Sequence, residues 1–291
     1  MNKKFIFVLL VFFPAFISFA QGGNEAIDSF GKAKKILRKI HLNNPITFYC
    51  RCKYQKNIPD WKSCGFSFRK DKKRASRIEW EHVLPASYFG VRFNTWKNGH
   101  HDCKNKIGKT FKGRKCTEKI HSTYRKMQAD LYNLQPVIGE VNGLRSNYQI
   151  GIINGENREF GNCDIEIKNK IVEPTDKIRG NIARTYMYME HAYPKYVIFN
   201  QNLKNLIKKW DEKDPVDEWE CFRAEKIKKI QGNVNQILYD RCQNQDKLND
   251  ISSNHVKIQN KTIFYKNNIK KKPNISNKGS FKGKGSIDAF K

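Results

Sequence analysis

Arg77-Ile78-Glu79-Trp80-Glu81-His82-Val83-Leu84-Pro85-Ala86 is a short apolar run that carries two carboxylates and an imidazole. Its composition reads as a β-strand. In an extended chain neighbouring side chains point to opposite faces, so Glu79, Glu81 and Val83 share one face, and Trp80, His82 and Leu84 the other. Pro85 has no N–H to give to a central ladder, so the strand ends there. Glu81 and His82 then stand near a strand end, where side chains reach a cleft. A histidine beside a carboxylate in a very basic chain suits metal-assisted phosphodiester chemistry. These ten residues alone also fit a surface glutamate and a half-buried histidine.

The chain has 291 residues, 38% of them hydrophobic and 12% aromatic, which is enough to fill a core. Its 56 basic residues against 28 acidic ones give a net charge of +28. Such a charge speaks of partners rather than fold. It calls for a polyanion, nucleic acid first and an anionic membrane surface second. Lys3 and Lys4, the apolar run Phe5 to Phe19 and the small residues at Ser18 and Ala20 have the form of a secretory leader cut after Ala20. No later stretch is apolar enough to span a bilayer.

All eight cysteines follow that leader: Cys50, Cys52, Cys64, Cys103, Cys116, Cys163, Cys221 and Cys242. An even number in an exported chain implies disulfides. Paired C-x-x-C spacing, the mark of structural zinc, is absent. Cys52–Cys64 and Cys103–Cys116 are candidate local loops; the remaining connectivity stays open.

Apolar residues at Ile27, Phe30, Ala33, Ile36, Leu37 and Ile40 predict a helix over residues 25–41. Thr47 to Cys50 reads as a strand, residues 51–74 as a polar loop, 98–116 as an exposed basic loop and 117–130 as helical. Phosphate and plain solvent both fit the basic loop. A second informative stretch runs from Asp130 to Tyr148. Pro136 suits the first turn of a helix there, with Val137, Val141 and Leu144 on one stripe and Ile138, Asn142 and Arg145 on the next. Asn142 and Arg145 would then face one site, an amide oxygen suited to Mg²⁺ or Ca²⁺ beside a guanidinium suited to phosphate.

Together these stretches resemble the bacterial endonuclease I family of periplasmic and secreted nucleases. The resemblance is carried by residues 74–86, by Ala129 to Leu134 and by Ile138-Gly139-Glu140-Val141-Asn142-Gly143. It continues through Arg179 to Met189, Pro215 to Cys221 and Ile230 to Asn233, in the family's order from about Ala26 to Cys242. It implies a mixed α+β fold with a ββα-metal (His-Me) finger, stabilised by disulfides. It implies hydrolysis of DNA and RNA with little sequence preference, one Mg²⁺-type ion (Mn²⁺ or Ca²⁺ in the same place) and 5′-phosphate products. His82 takes the general-base position and Glu81 and Asn142 the metal-ligand positions. Glu79 takes an acidic position that acts through its neighbours.

The chain also departs from the family. An arginine expected a few residues after Trp96 is missing from Trp96-Lys97-Asn98-Gly99-His100-His101-Asp102-Cys103. His101, His100, Lys97 or Arg114 is the candidate replacement. Gln128 stands where an acid is common. Arg77, Arg145, Arg184 and Arg114 are the candidate nucleic-acid contacts, and buried structural pairing fits Arg145 and Arg184 equally. Glu218-Trp219-Glu220-Cys221 echoes the first motif but falls in a helix, with Phe222, Ile227 and Ile230 at core spacing. The organisation expected is a leader over 1–20, a nuclease domain over 21–242 and a basic tail over 243–291 that holds eleven lysines against three aspartates. The protein expected is a periplasmic or secreted monomer. A noncatalytic nucleic-acid-binding protein is the other reading, kept open by the missing arginine.

Overall fold

The computed structural model describes residues 22–155 and 158–244; the expected leader and all but the first two residues of the expected tail lie outside the described residues. The fold is mixed α/β and carries four disulfides, Cys50–Cys163, Cys52–Cys64, Cys103–Cys116 and Cys221–Cys242. Both local loops expected from spacing are present. Cys50–Cys163 spans 113 residues of chain and ties the first third to the second sheet.

Helix α1 (Phe30–Ile40) begins only after Ser29, whose side chain accepts the Lys32 N–H. Residues 25–28 stay out of it. Asn24 organises a turn there, accepting the Ile27 N–H and donating to the Ile27 and Lys126 carbonyls. The expected strand at Thr47–Cys50 is a turn. Arg51 has φ 58° and donates to the Thr47 carbonyl, and Cys50 and Cys52 reach to different partners. A small hairpin of β1 (Tyr54–Gln55) and β2 (Ile58–Pro59) and a single helical turn, α2 (Lys72–Ala75), lead to β3 (Ile78–His82). Four short helices follow: α3 (Ala86–Gly90), α4 (Asn94–Asn98), α5 (Arg114–Ile120) and α6 (Ser122–Gln128).

The chain then returns as β4 (Leu134–Ile138), antiparallel to β3 with His82 opposite Leu134, Glu81 opposite Gln135 and Glu79 opposite Val137. Helix α7 (Gly139–Arg145) follows at once. Pro136 thus lies in a strand, opposite Trp80, and not in a first helical turn. In a two-stranded ribbon each strand has an unpaired edge, which tolerates proline. A second sheet has the order β5 (Gln149–Ile150), β7 (Ile171–Pro174), β6 (Ile165–Lys168), with β5 parallel and β6 antiparallel to β7. Three long helices, α8 (Arg179–Ala192), α9 (Gln201–Lys213) and α10 (Glu218–Gln231), complete the core, and residues 236–244 are again helical.

Helix α8 packs as its sequence predicts, with Ile182 and Met189 buried. Helix α10 does not. Phe222 and Ile230 are 38% and 45% exposed, while Glu220, Arg223, Ile227 and Gln231 face inward. Each of these polar residues finds a partner, although Arg223 Nε itself has none. Glu220 pairs with Arg184, Arg223 donates to the Leu131 and Leu134 carbonyls, and Gln231 donates to Asp130. Asp130 also accepts from the hydroxyls of Tyr188 and Tyr193, both at 2.7 Å. The Tyr193 hydroxyl in turn accepts the Asn24 N–H at 2.7 Å, so the start of the described chain is part of this buried network.

His41 sits beneath β3, buried edge-on between Trp80 and Trp219 with ring centroids 5.4 and 5.1 Å away. Burial, and then Arg223, hold its pKa well below the usual histidine value. A group depressed in this way contributes stability above its unfolded pKa of about 6.5 and loses it as pH falls toward the folded value. His41→Leu removes that contribution. The drop in melting temperature between about pH 7 and about pH 5 is expected to be smaller in the variant than in the parent; an unchanged drop would clear His41 of any part in acid sensitivity.

Candidate active site

The strand end that the sequence singles out opens on a cleft of about 740 Å³, and Glu79, Glu81, His82, Arg114 and Asn142 all line it. The end is firmly closed by Asn133. Its carbonyl accepts the Val83 N–H, its side chain accepts the Leu84 N–H and donates to the Leu84 carbonyl. Pairing therefore continues for two residues beyond β3 before Pro85 turns the chain away.

His82 is 7% exposed. Its Nε2 lies 2.8 Å from the Gln128 carbonyl oxygen. A carbonyl only accepts, so Nε2 carries the proton and Nδ1 keeps the lone pair. The Phe30 ring lies against the imidazole, centroid to centroid 4.8 Å. Burial, and then the Arg114 charge, push the His82 pKa down to about 3, so the ring is neutral at ordinary pH.

Glu81 is 5% exposed and stands 3.0 Å from Arg145 Nε. That approach lacks hydrogen-bond geometry, and Glu81 Oε1 has no hydrogen-bond partner. Burial raises the Glu81 pKa to about 7, against the pull of Arg145 and Tyr49. A buried carboxylate with an unmet oxygen is a site where a cation is favourable. Asn142 faces the same cleft from α7. Its Nδ2 donates to Glu79 Oε2 at 2.8 Å, which leaves its carbonyl oxygen as the atom free for a ligand. Two hard oxygen donors of this kind fit Mg²⁺, Mn²⁺ or Ca²⁺.

Glu79 is taken up by its neighbours. It accepts from Arg74 at 2.7 and 3.0 Å, from Arg77 at 2.7 and 3.0 Å, and from Asn142. Burial raises its pKa, and the bonds from Arg74, Asn142 and Arg77 outweigh burial, so the net shift is downward. Glycines make room for this cluster. A Cβ at Gly143 would stand 2.2 Å from Arg74 Nη1, and one at Gly139 would stand 2.5 Å from the Arg74 carbonyl. Glu140 accepts the N–H groups of Arg69, Lys70 and Asp71 and so fixes the turn that leads into α2 and Arg74.

Arg114, at the first position of α5, lines the cleft where the stretch after Trp96 has no arginine. Its Nε donates to the Gln128 side-chain oxygen at 3.3 Å, and its guanidinium lies 5.5 Å from the Phe30 ring centre. Gly113 N–H to the Trp96 carbonyl and the Cys103–Cys116 disulfide hold this turn.

The other expected residues fall elsewhere. Arg145 is fully buried, donating to the Val83 and Ser146 carbonyls, and does not share a face with Asn142 toward the cleft. Arg184 is 1% exposed and bound to Glu220, Asp211 and the Asp214 carbonyl. Neither reaches solvent, which rules both out as phosphate contacts in this conformation. Arg77 is half-exposed but spent on Glu79. The His101 side chain is 80% exposed and lies outside the cleft lining. Sequence reasoning missed Phe30, Lys34 and Arg38, which line the cleft from α1, and Arg74. The first three recur every four residues on one helical face, a signal visible in the sequence.

The model of the endonuclease I family matches residues 21–240. The chain belongs to the endonuclease I family. It is 43% identical over 224 residues to the Endonuclease-1 of Buchnera aphidicola subsp. Acyrthosiphon pisum (strain APS), covering 75% of this chain and 83% of that relative. An extracellular deoxyribonuclease of Aeromonas hydrophila is 38% identical over 226 residues, with 75% and 91% covered. A periplasmic deoxyribonuclease of the same organism is 38% identical, with 75% and 89% covered. Among the described residues of this endonuclease I family member, no helix is long and apolar enough to cross a membrane.

Its buried arginines can be separated from its binding surface by experiment. Arg184→Ala strips the buried Glu220 of its cation, while Asp211 keeps Arg241, and is expected to lower unfolding free energy by about 3–5 kcal/mol. Nucleic-acid affinity of the folded fraction should be unchanged. A selective loss of affinity at undiminished stability would return Arg184 to the binding surface.

Proposed function

We propose that this chain is an exported, divalent-metal-dependent endonuclease of the His-Me finger type. It hydrolyses phosphodiester bonds of DNA, and of RNA, with little sequence preference and leaves 5′-phosphate ends. The observation that carries the reading is the convergence of a neutral, oriented imidazole, a carboxylate with an unmet oxygen, an amide oxygen and a guanidinium on one basic cleft. The deoxyribonuclease names of two relatives support the choice of DNA. The ribbon of β3 and β4 followed by α7 is in keeping with the two strands and helix of such a finger.

In this reading His82 Nδ1 accepts a proton from the attacking water while Nε2 remains on the Gln128 carbonyl. Glu81 and the Asn142 carbonyl oxygen would hold the ion. Bound there, a divalent ion supplies positive charge to the scissile phosphate and the leaving 3′ oxygen. Glu79 keeps the Asn142 amide turned so that its oxygen, rather than its nitrogen, faces the cleft. Arg114 donates to the phosphate oxygens as their charge grows, a task fitted to a planar guanidinium. Anionic substrate beside His82 offsets the Arg114 charge and raises the imidazole's proton affinity at the moment of attack. Arg114 among the residues that line the cleft supports the catalytic reading over the noncatalytic one, which rested on the missing arginine.

Cleavage of supercoiled plasmid by the oxidised protein is expected with Mg²⁺ and not with EDTA. His82→Ala is expected to abolish cleavage and keep DNA binding. Arg114→Ala should lower the turnover number about 10²–10³-fold. Equal cleavage by the His82 variant would remove it as the base, and binding without cleavage under any divalent ion would favour a noncatalytic protein.

A further inference from the structure

The turn Gly99 to Cys103 lies outside the cleft and carries His100, His101 and Asp102. One donor atom from each of the three lies within 4.8 Å of the other two. The two imidazole rings stand side by side, centroids 4.0 Å apart and inclined by 34°. The Asp102 carboxylate reaches both, with one oxygen 3.4 Å from His100 Nδ1 and the other 3.4 Å from His101 Nε2. One nitrogen of each ring lies beside the Asp102 carboxylate, so a cation seated among these donors would be shared by all three residues.

The turn is also braced. The Asp102 N–H donates to His100 Nδ1 at 3.2 Å, and Lys119 Nζ donates to the Asp102 carbonyl at 2.5 Å. Cys103 is joined to Cys116 immediately after the cluster. A third imidazole stands nearby. Partial burial, and then the proximity of His100, lower the pKa of His121, whose Nε2 is buried without a hydrogen-bond partner. His100 and His101 line an open hollow of about 510 Å³, so an ion enters without any movement of the fold.

We propose that His100, His101 and Asp102 form a second metal site, for a first-row transition ion of the Zn²⁺ class. The donor set separates the two sites. Imidazole nitrogens suit Zn²⁺, Cu²⁺, Ni²⁺ and Co²⁺, whereas Mg²⁺ takes oxygen ligands and keeps its waters. Glu81 and Asn142 offer oxygen only. The inference therefore stands whether or not the cleft hydrolyses nucleic acid. An ion held here would stiffen a turn that Lys119 and the disulfide already tie to α5, the helix whose first residue is Arg114.

The test is calorimetric titration of the oxidised protein with Zn²⁺ in excess Mg²⁺, followed by Co²⁺ absorption as a report of nitrogen ligation. One Zn²⁺ per chain is expected. Losing a partner of a metal ligand already costs about 10- to 100-fold in affinity, so losing two ligands in His100→Ala/His101→Ala should erase the titration. Asp102→Asn, which keeps the shape of the turn, should weaken it. Glu81→Gln/Asn142→Ala should leave it intact. Failure of the parent protein to bind Zn²⁺, equal binding by the double histidine variant, or loss of binding in the cleft variant would each overturn the proposal.

Discussion

The guanidinium of Arg145 is the fixed point of the site. A cation with no exposed surface is costly unless its donors are met, and a well-packed apolar residue would often serve stability as well. What the charge adds is position. Arg145 donates to the Val83 carbonyl at the end of β3 and faces Glu81 on the same strand, while its own backbone closes α7. Strand and helix are thereby locked at one spacing. Asn142 lies three residues earlier on that helix, so its distance from Glu81 is set by a contact that never reaches the cleft. The same burial leaves Glu81 desolvated and receptive to a second cation.

A second tier of contacts repeats this economy of parts. Gln128 holds His82 with its backbone carbonyl and Arg114 with its side chain, so imidazole and guanidinium are both referred to one residue at the end of α6. Glu79 serves Asn142 and two arginines at once. The arrangement concentrates the precision of the site in a few buried or half-buried polar groups. The exposed lysines of the surrounding loops supply field rather than geometry.

Much of this was legible in the sequence, though unevenly. The strand Ile78–His82 could be read from alternation and from Pro85, and the two short disulfide loops from spacing. The strand Leu134–Ile138 could not, because proline is at home in both a first helical turn and the edge of a two-stranded ribbon, and local pattern does not choose. Helix α10 misled for a different reason. Its buried stripe is polar, serving Arg184, Asp130 and two backbone carbonyls, so hydrophobic spacing pointed to the wrong face. Burial of Arg145 and Arg184 depends on partners 62 and 36 residues away, which no local window contains. Arg114 was legible only as one of several candidates, since its approach to His82 depends on how the loop between Trp96 and Gly113 closes.

The attachment of Asn24 to Tyr193 has a dynamic corollary. Chain ends usually fray, and their amides exchange with solvent hydrogen at rates near those of a free peptide. Here the Asn24 amide is buried, and its acceptor is a hydroxyl that belongs to the Asp130 hub shared by α8 and α10. It opens only when that hub opens. Residues that precede the first helix therefore exchange together with the hub that α8 and α10 share, and the first helix does not mark where that cooperative unit begins.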